Sequence, residues 1–158
     1  PAPRGDESPG PACYCGRSGC IETFLSGPGL ARDYAQTVRC AIGHAGHAIP
    51  SPLEGTREDG ISPSEIAARA EAGDRPALAC LERYEDRMAR GLASIINVLD
   101  PDVVVLGGGL SNIERLYESV PRIWGRYIFS DAVATQLVRP RHGDSSGVRG
   151  AAWLWNDA

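Results

Sequence analysis

Three cysteines fall within eight residues, in the run CYCGRSGC at positions 13–20. In an extended Cys-x-Cys the two side chains point to the same side, so Cys13 and Cys15 can grip one ion. Gly16 and Gly19 let the backbone fold back until Cys20 approaches the same point. Thiolates in that arrangement suit zinc, which takes four ligands in a tetrahedron. The alternative is three free thiols that merely neighbour one another. Cys40 and Cys80 each stand alone on a helical pattern and are expected to serve as small core hydrophobes. Five cysteines, an odd number with no paired spacing, point to reduced thiols and a cytoplasmic protein rather than a disulfide scaffold.

The chain of 158 residues is long enough for one domain with its own core. Its net charge is −4 and its basic residues are scattered, so it lacks the basic stripe that nucleic-acid binding uses. It has no apolar run near the roughly 18 residues of a membrane span, and no signal-peptide pattern opens it. It starts at Pro1 without Met and is read as a portion of something longer.

Residues 1–12 are rich in Pro and Gly and read as a loop. A helical pattern covers 29–39, and 41–60 reads as an irregular connection. Ser62, Pro63 and Glu65 form a capping box that opens a helix expected to stop at Gly73. Leu78, Leu81, Met88, Leu92, Ile95, Ile96 and Leu99 recur at three- and four-residue steps over 75–100, the longest helix; Met88 reads as core filler and the acidic residues as an exposed face. Val103, Val104, Val105 and Leu106 form a short β-branched run ended by three glycines, the pattern of a strand buried on both faces. SNIE at 111–114 reads as a second capping box, opening a helix over 112–124. A further strand is expected around 134–139. Residues 141–155 turn from loop to helix, with Asp144, Ser145, Ser146 and Gly147 at its N-cap. Strands and helices alternating across glycine-rich turns predict an α/β layer architecture. His44, His47 and His142 sit in polar or Gly-rich segments and are expected to be solvated.

The run CYCGRSGCIETFLSGPGL (13–30) resembles the signature of the ROK family of repressors and sugar kinases, Cys-x-Cys-Gly-x-x-Gly-Cys-x-Glu. NVLDPDVVVLGGGLS (97–111) resembles that family's adenosine-side segment, and GDSSGVRGAA (143–152) its C-terminal turn. The flavour is closest to the fructokinase-like branch. The resemblance implies an actin-like, ribonuclease-H-like ATPase fold, with residues 13–158 forming its C-terminal domain after the 1–12 loop. It implies a structural zinc on Cys13, Cys15 and Cys20, a hexose hydroxyl contact at Glu22, and the adenosine of Mg-ATP at Gly107, Gly108 and Gly109. The residues by themselves leave Glu22 open as a first-turn carboxylate favoured by the helix dipole, and the glycines open as a plain strand-to-helix turn. The implied activity is phosphoryl transfer from Mg-ATP to a hexose, fructose in the fructokinase-like reading, by a cytoplasmic homodimer.

Three parts of the family pattern lie outside this sequence: an Asp-x-Gly-x-Thr phosphate loop, an Asn-Asp pair carrying the general base, and a Glu-x-Gly-His segment with a fourth zinc ligand. They are expected upstream of Pro1, which would leave this stretch alone inactive. Asn156-Asp157 stands at the wrong end of the chain to be the base. Two other readings stay open. One is the sugar-sensing domain of a ROK transcriptional repressor. The other is a zinc-stabilised oligomerisation module without catalysis.

Overall fold

The computed structural model describes residues 5–45 and 61–154. Its internal contacts divide the chain into two compact units, Pro1–Arg87 and Met88–Ala158.

The first unit holds a 3-10 turn at Gly5–Glu7, then α1 (Ile21–Leu25), α2 (Gly27–Ala45), α3 (Pro63–Glu71) and the first part of α4 (Arg75–Leu99). Ser26 separates α1 from α2 by standing in an extended conformation, and its hydroxyl accepts the Gly29 N–H at 3.1 Å, capping the second helix. Gly29 is required there, because a Cβ would come within 2.6 Å of the Thr23 carbonyl oxygen. α2 continues through Ala45, into the segment read from sequence as irregular. Residues 46–60, and His47 with them, lie outside the described residues, as do Asn156 and Asp157. Ser62 caps α3 as expected, accepting from Glu65 N at 3.2 Å. The Glu65 carboxylate turns instead to Arg69 one helical turn on, at 2.7 Å. α3 ends before Gly73, whose φ of +90° suits the left-handed stop of a helix. Asp74 then caps α4 through the Ala77 N–H and also accepts the Tyr34 hydroxyl.

The core of this unit is a helical stripe meeting two others. Ala77, Cys80, Leu81 and Tyr84 of α4 bury against Leu30 and Tyr34 of α2 and Ile66 and Ala70 of α3. Cys80 fulfils its expected role as a core hydrophobe. Cys40 does not: it is exposed, because it falls on the face of α2 turned away from Leu30 and Tyr34. The acidic residues of α4 are not uniformly exposed either, since Glu85 is buried.

In the second unit, β1 (Val103–Val105) pairs in parallel with β2 (Gln136–Val138), Val104 opposite Leu137. A 3-10 turn at Gly109–Asn112 and α5 (Leu116–Trp124) form the crossover, and α5 packs on β2. Leu116, Val120 and Trp124, spaced by four, are buried with Ile113 and Leu137. Met88 is buried as expected, with Ala89, Ala93 and Ile96 of the same helix, whereas Ile95 and Leu99 are exposed. A second 3-10 turn at Gly143–Ser145 leads into α6 (Ser146–Trp153). Ser145 takes the N-cap position without a side-chain capping bond, and His142 is exposed as expected.

Two expectations fail here. The strand is not buried on both faces: Val103 and Val105 are 48% and 58% exposed. A β-branched run is equally compatible with one covered face, and among the described residues cover lies on the Val104–Leu137 side. Nor does Ser111 open a helix. It lies inside the 3-10 turn, buried, and its hydroxyl donates back to the Gly108 carbonyl at 2.7 Å. α5 starts only at Leu116, with no side-chain cap at Arg115.

A charged cluster ties the first unit together. The Arg87 guanidinium donates to Asp33 of α2 and to Glu7 of the N-terminal segment, both at 2.6 Å, and lies over the Phe24 ring of α1 at 5.1 Å. Arg83 donates to the same Asp33 at 2.9 Å. The Arg87, Asp33 and Glu7 side chains are mostly shielded from water, so removing Asp33 leaves the Arg87 charge with only part of its compensation. Asp33→Ala is expected to cost about 3 kcal/mol, read as a lower denaturation midpoint in urea; an unchanged midpoint would show the cluster to be energetically idle.

Candidate functional site

The cysteine run forms a miniature hairpin. Ala12 and Ser18 pair as an antiparallel bridge. Cys13 N–H donates to the Arg17 carbonyl at 2.8 Å, and Gly19 N–H to the Pro11 carbonyl at 2.9 Å. The tip is a tight turn, Gly16 N–H to Cys13 carbonyl at 3.0 Å, with Gly16 at φ +81°. Gly19, at φ +69°, lies directly against Gly10: a Cβ on Gly10 would stand 2.5 Å from the Gly19 Cα and 3.2 Å from the Phe24 ring. Only glycine permits that approach, and the approach returns the chain so that Cys20 meets the other two thiols.

The Sγ atoms of Cys13, Cys15 and Cys20 all lie within 4.8 Å of one another, with Cys15 and Cys20 3.5 Å apart. A tetrahedral zinc with sulfur ligands at about 2.3 Å places its sulfurs about 3.8 Å apart. The trio is therefore gathered close to the spacing that three corners of such a site require. Hydrogen bonding polarises the thiols. The Arg17 backbone N–H, and then the neighbouring thiols, lower the Cys15 pKa. Cys20, whose proton is shared toward Cys15 and Cys13, is pushed up to about 11. A bound cation would reverse the second effect, since a coordinating thiol is deprotonated outright.

Cys20 is also the N-cap residue of α1, and its carbonyl accepts from the Thr23 N–H and hydroxyl. Whatever fixes the hairpin thereby fixes the start of α1. Glu22 stands in that first turn, exposed. Tyr14, between the first two cysteines and 89% exposed, reaches the Glu22 carboxylate. That carboxylate accepts a hydrogen bond from the Tyr14 hydroxyl, and with its charge holds the Tyr14 pKa above the ordinary value. Tyr14 was not singled out in the sequence; its place inside the cysteine motif was the available signal.

The glycine turn belongs to the second unit. β1 and β2 are parallel, so both carboxyl ends lie at one edge, the edge at which open α/β sheets take ligands. Gly107, Gly108 and Gly109 leave β1 there and are exposed. A Cβ on any of them would meet nothing within 4 Å. Space is therefore not what demands glycine at 108. The backbone does: φ 72°, ψ −177° is a region that essentially only glycine occupies. The 3-10 turn that follows packs against the one at Gly143–Ser145. Arg139, just beyond β2, pairs with Glu114 and lies over the Tyr117 ring at 5.0 Å. Tyr117 reaches the turn from the first turn of α5, six residues beyond Ser111, whereas strand register brings Arg139 there, which no local pattern of the sequence records.

Among the described residues no helix is long and apolar enough to cross a membrane. A family model described as ROK family matches residues 6–158. The chain is 37% identical over 150 residues to an N-acetyl-D-glucosamine kinase of Vibrio vulnificus, a match spanning 95% of this chain and 43% of the relative. The structure matches a ROK family glucokinase from Streptomyces griseus, solved with glucose and AMPPNP, at a TM-score of 0.75 and 27% identity over 92% of this chain and 47% of that one. It also matches a ROK family transcriptional regulator, homologous to the Escherichia coli MLC protein, at a TM-score of 0.65 and 23% identity over 84% of this chain and 32% of that one. The chain thus spans less than half the length of these proteins. The α/β architecture is that of the actin-like ATPase fold, as the motifs implied.

The hairpin geometry makes a direct prediction about metal. Zinc content per chain, measured by elemental analysis after mild chelation, is expected to fall sharply in Cys20→Ser relative to the parent. Equal retention would mean that Cys20 is not a ligand.

Proposed function

The chain belongs to the ROK family, and from that premise we propose that it forms the C-terminal part, residues 13–158, of an ATP-dependent hexose kinase. The observation that carries the proposal is the juxtaposition in the first unit: three thiols that fit one zinc, and immediately beyond them Glu22, exposed on a helix that starts at the third thiol.

In this reading the zinc is structural and supplies rigidity. The chain's own residues orient the reactants. The Glu22 carboxylate accepts hydrogen bonds from sugar hydroxyls, a charge-assisted and directional contact. Gly107, Gly108 and Gly109 let the backbone come close to the adenosine side of Mg-ATP. Phosphoryl transfer depends chiefly on positioning and charge stabilisation, and both contributions here are of that kind. The base that takes the hydroxyl proton is assigned to residues outside this sequence.

The sugar is proposed to be an aldohexose of the glucose or N-acetylglucosamine type. Relatives named for those sugars support it, and they lend no support to the fructose assignment drawn from the motif's flavour. A sugar-sensing domain of a regulator is the second reading, favoured by the shared fold of the regulator named above. Phosphoryl transfer separates the two: ATP turnover on glucose or N-acetylglucosamine by the whole protein supports a kinase, and sugar binding without turnover supports a sensor.

Glu22→Gln in the whole protein turns an anionic acceptor into a neutral amide, losing about 1.5–3 kcal/mol. The sugar KM is expected to rise about ten- to hundredfold, with the ATP KM little changed. An unchanged sugar KM would remove Glu22 from the site.

A further inference from the structure

Three consecutive exposed glycines have no side chains with which to hold a shape, yet Gly108 occupies one defined and unusual conformation. Its restraint comes from a chain of contacts that begins on the neighbouring strand. The Gly108 carbonyl accepts twice from Ser111, from the backbone N–H at 3.0 Å and from the hydroxyl at 2.7 Å. Ser111 is buried, and its own carbonyl accepts the Tyr117 hydroxyl at 2.8 Å. The Tyr117 ring lies under the Arg139 guanidinium, and Arg139 is in turn paired with Glu114. Arg139 directly follows β2, whose last residue is in register with the last residue of β1. The turn leaving one strand is thus anchored, through a ring and a hydroxyl, to the end of the other.

We propose that Tyr117, held in place by Arg139, is a positioning residue that sets the Gly107–Gly109 turn in the shape that receives the nucleotide. This rests on the assignment of that turn to ATP. A merely structural tyrosine would sit within the hydrophobic stripe of α5, where Leu116, Val120 and Trp124 already do the packing. Tyr117 instead directs its hydroxyl at the turn, and its ring is only half-buried. The cation over the ring restricts where that hydroxyl can go. Glycine needs such external restraint more than any other residue, because it has the most backbone freedom to lose when a ligand requires one conformation.

The test is made on the whole protein in two parts. Amide hydrogen exchange across residues 107–112, with and without a non-hydrolysable ATP analogue, examines the nucleotide assignment itself. Protection by the analogue is expected, and its absence overturns both that assignment and this proposal. Tyr117→Phe then removes only the hydroxyl. The ATP KM is expected to rise about three- to tenfold, as the loss of one net hydrogen bond loosens the turn, while kcat and the sugar KM stay at parent values. Exchange at 108–112 is expected to quicken in the nucleotide-free state. Arg139→Ala should shift the ATP KM in the same direction, and Arg139→Lys, which keeps a cation at that position, should recover part of it. If the analogue protects the turn but Tyr117→Phe leaves the ATP KM unchanged, the positioning role is overturned and the nucleotide assignment stands. A parallel fall in thermal midpoint with equal shifts in both KM values would make Tyr117 structural, and also overturns it.

Discussion

The guanidinium of Arg87 joins four segments of the first unit. Asp33 brings in α2, Glu7 the N-terminal segment, Phe24 the face of α1, and the arginine itself stands on α4. Arginine suits the position because its fork can donate to two carboxylates while its plane lies on a ring. The cysteine hairpin hangs between Glu7 and Phe24. Its return leg is set by the Gly10–Gly19 contact, which also abuts the Phe24 ring. The cation that holds the helices together therefore also supports the thiol trio, and a metal on the trio would stiffen the same corner from the other side.

The two candidate ligand loops use glycine for opposite reasons. At Gly10 and Gly19 the backbone is pressed against backbone, and any side chain would have to displace it. At Gly107, Gly108 and Gly109 there is open space in every case, and at 108 the requirement is conformational. The first loop is closed by what it touches. The second is kept open, and its shape is supplied from outside by Ser111, Tyr117 and Arg139. A hairpin filled by a fixed ion and a turn that exchanges a nucleotide would call for that difference.

SNIE at 111–114 has the letters of a capping box, but strand β1 ends so close by that Ser111 turns its hydroxyl back to Gly108 and becomes part of the turn. Val103 and Val105 read as fully buried, yet a run of valines carries no information about which layers are present to cover it. Cys40 and Cys80 look alike in sequence. Only the inward stripe of each helix separates the exposed thiol from the buried one, whose pKa burial raises to about 12. Glu85 reads as solvated among other acidic residues and is buried, because α4 is covered over a broad arc of its surface.

The sequence by itself determined whatever depends on residues close along the chain. The Cys13–Cys15–Cys20 cluster, the Ser62 cap, the long helix over 75–99 and the strand ending in three glycines are all local, set by spacing, backbone permissiveness and periodicity. The family and its fold followed from the same short motifs. Tertiary structure decided what depends on distant partners. It alone placed Asp33 and Glu7 on Arg87, 54 and 80 residues apart in sequence, and it alone brought Arg139 over Tyr117. Such pairs are fixed by helix packing and strand register, which arise when separate segments compete to bury their apolar faces. No run of letters records the outcome of that competition.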